Sequence, residues 1–258
     1  MDFSLAFMSH HDFWMYVLIG FLAQLVDGAL GMAYGTLCTA VLLTAGVPPV
    51  TASASVHSAQ FFTTGISALS HTWFKNVNKK LFLALALAGS AGGILGAMAL
   101  SHVDEKFIKP WVAVYLMFLG FLILWKRYRK QQLVKSEIKS RAPFRYGLGF
   151  IGGFLDALGG GWGPMVTTNL MVRNEDPRLV IGSVNSAEFF VKTTIALTFI
   201  ATMAFSFHEV VLGLLAGGLL AAPFGAVIVR FIKPEILITL VGVVITLLSG
   251  YVLYNVLF

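Results

Sequence analysis

Two eight-residue strips hold most of the groups in this sequence that could do chemistry. Ser183-Val184-Asn185-Ser186-Ala187-Glu188-Phe189-Phe190 places an amide, hydroxyls and a carboxylate inside an apolar segment, where polar groups are costly. Residues 55–62 read Ser-Val-His-Ser-Ala-Gln-Phe-Phe, the same strip 128 positions earlier. His57 stands where Asn185 stands, and Gln60 where Glu188 stands. One polar strip in each half points to a site at a repeat interface. On a helix, His57, Gln60 and Thr64 share a face, with Ser53 one turn earlier. Asn185, Glu188 and Lys192 share the equivalent face. At helical rise, His57 and Gln60 lie about 10–14 Å beyond Thr51, and Glu188 about 15 Å beyond Arg178, so both strips reach the interior of a bilayer.

The ionisable groups leave alternatives open. Glu188 could carry a proton and Lys192 attract an anion, or the two could neutralise each other as an i, i+4 pair. His57 could carry a proton or only hydrogen-bond, and its match to Asn185 favours hydrogen bonding. Asp27 and Asp156 each precede a glycine break. They could cap the helix that follows or take part in proton coupling.

The breaks are the second candidate feature. Gly31-Met32-Ala33-Tyr34-Gly35-Thr36 aligns at the same offset with Gly159-Gly160-Gly161-Trp162-Gly163-Pro164. A helix that restarts inside a membrane offers free backbone N–H groups and the positive end of its dipole, which suits an anion. Gly31, Gly35, Gly159, Gly160, Gly161 and Gly163 are therefore expected to contact an oxyanion. Glycines at 89–96 and 213–218 read instead as close helix packing.

These groups must be positioned by helices in a membrane. The 258 residues are 57% hydrophobic and 12% charged, with a mean hydropathy of +0.83, against roughly 25% charged in a soluble domain. Apolar runs recur from Phe13 to Phe258, so the expected fold is an all-α, polytopic helical membrane protein. The net charge of +6 does not imply nucleic acid, because eight basic residues fall in 126–145, which reads as one cytoplasmic loop. The single Cys38 excludes an intrachain disulfide. The N-terminus has no basic region of a signal peptide, so Phe13 onward is expected to be retained. Trp14, Trp111 and Trp125 read as interface anchors.

The runs are Phe13–Val47, broken at Asp27-Gly28, Gly31 and Gly35; Ala52–Trp73; Leu81–Leu100; and Trp111–Trp125. A short loop with Asp104, Glu105, Lys106 and Lys109-Pro110 is expected before the last of these. The second half repeats the plan with Tyr146–Val172, broken again, then Leu179–Phe205, Leu212–Ile232 and Ile236–Phe258. Pro49 matches Pro177, and Ile108-Lys109-Pro110 matches Ile232-Lys233-Pro234. This gives repeat 1 at 13–125, a basic linker at 126–145 and repeat 2 at 146–258.

If each broken run crosses once, eleven basic residues fall inside and six outside. If each returns as a re-entrant hairpin, the count is fifteen against two. The second arrangement gives inverted repeats, each a broken hairpin followed by three spans, with both termini outside. The 27 residues from Tyr146 to Val172 would make two arms of about 20 Å each, too short for two crossings.

Leu25-Val-Asp-Gly-Ala-Leu-Gly-Met-Ala-Tyr-Gly35, Ala52-Ser-Ala-Ser-Val-His57, Leu155-Asp-Ala-Leu-Gly-Gly-Gly-Trp-Gly-Pro164 and Ile181-Gly-Ser-Val-Asn-Ser-Ala-Glu-Phe-Phe190 resemble the TauE/SafE sulfite exporter family over essentially the whole chain. The resemblance implies a transporter of a small sulfur-containing anion, sulfite or an organosulfonate, in the cytoplasmic membrane and proton-linked. Met32 and Ala33 replace the glycines found at Gly160 and Gly161, so the two halves need not be used equally.

The expected substrate contacts are the break glycines with Ser55, His57, Ser58, Gln60, Ser183, Asn185, Ser186 and Lys192. Glu188, Asp27 and Asp156 are the expected proton-coupling groups. Alternating access would come from rocking of the repeats. A channel, or an importer of another small oxyanion or carboxylate, would use the same site. No catalytic set and no metal-ligand spacing is present, so neither an enzyme nor a cofactor is expected. The expected partners are the small anion and the lipid bilayer, with no nucleic acid and a homodimer left open.

Overall fold

The computed structural model describes residues 10–128, 141–171, 176–203, 209–228 and 232–258. The first half runs through α1 (His10–Leu30), α2 (Tyr34–Thr44), α3 (Pro49–Trp73), α4 (Lys79–His102) and α5 (Glu105–Tyr128). The second begins with α6 (Ala142–Gly159), a π-helical turn (Gly163–Thr167) and α7 (Thr168–Met171). It continues with α8 (Pro177–Met203), α9 (Glu209–Ile228) and α10 (Pro234–Leu257). Most of the basic linker, residues 129–140, lies outside the described residues. Among the described residues, five helices are long and apolar enough to cross a membrane. The architecture is all-α and polytopic.

Local chemistry sets the helix starts. Pro49, Pro177 and Pro234 occupy first positions of α3, α8 and α10, where a missing N–H costs nothing. Asn78 accepts from the Lys80 and Leu81 N–H groups at the start of α4, and Asp176 accepts from Arg178 N–H at the start of α8. Asp104 accepts from the Lys106 N–H at 2.8 Å and so starts α5 earlier than the apolar run suggests. The expected loop at 104–110 therefore shrinks to Val103 and Asp104. Glu105, Lys106 and Lys109 lie on the first turns of α5, with Pro110 inside the helix.

The broken segments also differ from two equal arms of 20 Å. α6 has 18 residues, about 27 Å at helical rise, and the π turn with α7 is much shorter. α1 has 21 residues and α2 only 11, about 31 and 16 Å. The long arms extend N-terminally past the apolar run, because a helix needs apolar side chains only where it meets lipid or core.

The helices pair across the halves. α1 lies on α9 and α6 lies on α4, while α3 packs on α8 and α5 on α10. The first two seams are built from small residues. Side chains at Gly92 and Gly96 would overlap the Phe150 and Phe154 carbonyls of α6, and one at Gly217 would overlap α1 at Val17. Backbones approach this closely only where Cβ is absent. Phe61 and Phe189, matched positions in the two strips, meet with ring centroids 5.4 Å apart where α3 crosses α8. Trp14, Trp111 and Trp125 are exposed on the outer surface, whereas Trp162 is wholly buried at the second break.

Candidate functional site

The two breaks are built alike. α1 ends at Gly31, whose φ of 67° is left-handed, and its N–H donates to the Asp27 carbonyl at 2.6 Å. α6 ends at Gly160, φ 80°, whose N–H donates to the Asp156 carbonyl at 2.6 Å. Each aspartate then caps the helix that follows. Asp27 Oδ1 accepts the Tyr34 N–H at 3.3 Å, and Asp156 Oδ1 accepts the Trp162 N–H at 2.9 Å. Tyr34 and Trp162 are 128 positions apart, but the aspartates and the turn glycines are 129 apart. Gly31 therefore corresponds to Gly160, and Gly159 is the last residue of α6, set against Leu116 and Tyr115. The first break is one residue longer, and Ala33 takes up the excess with a φ of 92°.

The breaks also pack on each other. A Cβ on Gly160 would collide with the Gly35 backbone, one on Gly163 with Met32, and one on Gly161 with the Tyr115 hydroxyl. Gly35, Gly159, Gly160, Gly161 and Gly163 thus face protein. Of the expected glycine contacts, Gly31 alone borders the polar cavity described below.

At the second break Asp156 is fully buried and surrounded. Lys192 Nζ lies 3.0 and 2.9 Å from its two oxygens. His57 Nε2 lies 3.3 Å from Oδ2. The His57 Nδ1–H donates to the Ser53 carbonyl at 2.7 Å, since a carbonyl can only accept. Ser53 Oγ donates to the Ala157 carbonyl at 2.6 Å and ties α3 to α6. Lys192 also reaches Glu188 Oε1 at 3.7 Å, so one ammonium bridges two carboxylates. Desolvated groups of this kind are stable only as a complete set.

At the first break the corresponding space is open. A polar cavity of about 240 Å³ is bounded by Gln24, Asp27, Gly28 and Gly31 on the α1 side. Gln60, Thr63, Thr64 and Ser67 of α3 and Asn185 and Glu188 of α8 close it. Gln60 is buried, and its Oε1 has no hydrogen-bond partner. Asn185 Nδ2 donates to His71 Nε2 at 3.3 Å.

The expected site residues therefore divide. Asp27, Gly31, Gln60, Asn185 and Glu188 line the cavity, while His57, Asp156 and Lys192 form the buried cluster. Ser183 accepts from the Asn78 N–H at 2.8 Å and links α8 to α4. Ser55, Ser58 and Ser186 are buried with unpartnered hydroxyls. Ser186 borders a separate apolar groove of about 710 Å³ beside Phe82, Phe189 and Phe190. Gln24, Thr63 and Ser67 were not expected. Helical spacing could have found them, since Gln24 is three residues before Asp27, and Thr63 and Ser67 follow Gln60 at three and seven.

The chain was compared with known proteins. The sequence profile described as sulfite exporter TauE/SafE matches residues 16–252. A relative from Bacillus subtilis (strain 168), named probable membrane transporter protein YtnM, is 38% identical over 253 residues. That alignment covers 93% of this chain and 82% of the relative. No solved structure matches.

Proposed function

From the membership of this chain in the TauE/SafE family of membrane transporters, we propose that it moves a small sulfur-containing anion, sulfite or an organosulfonate, across the cytoplasmic membrane by proton-linked alternating access. The observation that carries this reading is the polar cavity at the break between α1 and α2, inside an otherwise apolar bundle. The amides of Gln24, Gln60 and Asn185 and the hydroxyl of Ser67 supply donors for oxyanion oxygens.

The same cavity carries Asp27 and Glu188, which repel an anion when ionised. An anion therefore enters with a compensating positive charge. Glu188 is placed to take that charge as a proton. It faces the cavity, and among the described residues its one ionic contact is the 3.7 Å approach of Lys192. Asp156 is held by Lys192, His57 and a backbone N–H, so it serves as a fixed anchor.

Reciprocal packing, α1 on α9 and α6 on α4, fits two repeats related by a twofold axis, and the count of basic residues favours an axis in the membrane plane. The basic linker then lies in the cytoplasm and both termini outside. Rocking of one repeat against the other would expose the α1–α2 break to each side in turn.

Counterflow of labelled sulfite into proteoliposomes, with and without an imposed pH gradient, tests this reading. Saturable counterflow that the gradient accelerates is the expected result. Flux that does not saturate, at channel rates, or no flux from folded protein, would overturn it.

A further inference from the structure

The two breaks hold matched positions with unmatched charge. Thr64 and Lys192 are 128 positions apart, as are Gln60 and Glu188, and Asp27 and Asp156 cap equivalent helix starts. In the second half the Lys192 ammonium lies between two carboxylates. In the first half the short Thr64 side chain stands in its place, beside the cavity. We propose that this cavity binds a small monovalent metal cation, held by the Asp27 carboxylate, Gln60 Oε1 and the Thr64 hydroxyl oxygen, where the other half uses the Lys192 ammonium.

Three observations converge on this assignment. First, Lys192 lies between Asp156 and Glu188, and His57 also faces Asp156. Among the described residues Asp27 has no ionic partner, and an uncompensated carboxylate within a membrane bundle is costly. Second, Gln60 Oε1 is a buried acceptor without a donor, and Gln60 borders the cavity. Third, the Thr64 hydroxyl spends its proton on the Gln60 carbonyl at 2.7 Å, so its oxygen lone pairs are left for a cation.

The ligand chemistry narrows the choice of ion. The three donors are all oxygens, which suits a hard cation. With one uncommitted carboxylate, a single positive charge balances the site. A volume of about 240 Å³ leaves room for several waters around the ion, each taking about 30 Å³.

In the transport reading, on which its role though not its binding rests, this ion would enter beside the anion and offset its charge. Thermal unfolding of the purified protein, without sulfite, tests the binding. The salts are sodium chloride, potassium chloride and N-methyl-D-glucamine chloride at equal ionic strength. Sodium or potassium should raise the midpoint saturably, by about 2–4 °C, over the bulky cation. Asp27→Asn should lose that rise. Thr64→Lys, which brings a tethered ammonium to the position Lys192 holds in the other half, should melt at one temperature in all three salts.

Wild-type protein with no salt-specific rise overturns the proposal, as does a rise that persists in both variants. Sulfite counterflow measured in each of the three salts separates the two readings. Flow with no thermal rise removes the cation and leaves the transporter. A thermal rise with no flow leaves the cation and removes sulfite.

Discussion

At Asp156 and at Asp27 the same backbone device appears twice: a left-handed glycine, a carboxylate cap and a restarted helix. Around Asp156 both carboxylate oxygens meet Lys192 and Oδ2 also meets His57, and the glycines bring backbone against backbone. Around Asp27 the cap is longer, at 3.3 Å, Gly31 has open space beside it, and the partners are neutral amides and hydroxyls. The second break is closed by this packing, and the first borders a polar cavity. The two scaffolds are alike, and the side chains differ, Thr64 against Lys192 above all.

The largest effect should follow from opening the anchor. Lys192→Met strips the buried Asp156 and the half-buried Glu188 of their shared cation, a loss of roughly 3–5 kcal/mol. Thr64→Val at the matched position removes one hydroxyl bond worth about 1 kcal/mol. Thermal unfolding of both in one detergent gives the comparison. If Lys192→Met melts with Thr64→Val, the ion cluster is not what holds the second break. Asp156→Asn combined with Lys192→Met should recover much of the loss, since it removes both sides of the closest pair.

Glu188→Gln should leave the fold intact, because Lys192 keeps Asp156. Its effect belongs to coupling: an imposed pH gradient that accelerates wild-type counterflow should no longer do so. A variant that still responds to the gradient would move the proton to Asp27.

Backbone substitutions come next. Gly160→Ala meets both a left-handed φ and the Gly35 backbone, whereas Gly31→Ala meets the φ alone. Strain of about 1–2 kcal/mol is common to both, and overpacking adds about 1–3 kcal/mol at Gly160. Equal losses in the two variants would mean that the breaks do not press on each other.

Much of this was legible in the sequence. Apolar run length gave the helices but not their starts: α3 and α8 begin at Pro49 and Pro177, ahead of the runs from Ala52 and Leu179. The 128-residue offset located both strips and both breaks. Two further things were not legible, for physical reasons. Offset alignment cannot show a one-residue excess absorbed by Ala33, because backbone torsion leaves no composition signal outside glycine. That excess moves the left-handed turn from Gly159 to Gly160. Nor can spacing show which helix a side chain meets. Lys192 shares a helical face with Glu188, yet its closest contact is Asp156 on α6, 36 residues away in the chain. The serines of the strips look alike in sequence, but Ser183 bonds Asn78 while Ser186 borders an apolar groove.

The smallest effect should come from Ala33→Gly, and its size is informative for that reason. Ala33 is buried and holds a φ of 92°. Glycine there would release strain of about 1–2 kcal/mol. It would also lose a buried methyl, about 0.8 kcal/mol, and add chain entropy to the unfolded state, about 0.5–1 kcal/mol. The terms nearly cancel, so the unfolding midpoint should stay within about 2 °C of wild type. A buried Ala→Gly change at an ordinary helical φ, such as Ala187→Gly in α8, has no strain to release and should cost the full sum. Ala33→Gly as costly as Ala187→Gly would show that the longer first break is relaxed. The difference between the two breaks would then lie in their side chains alone.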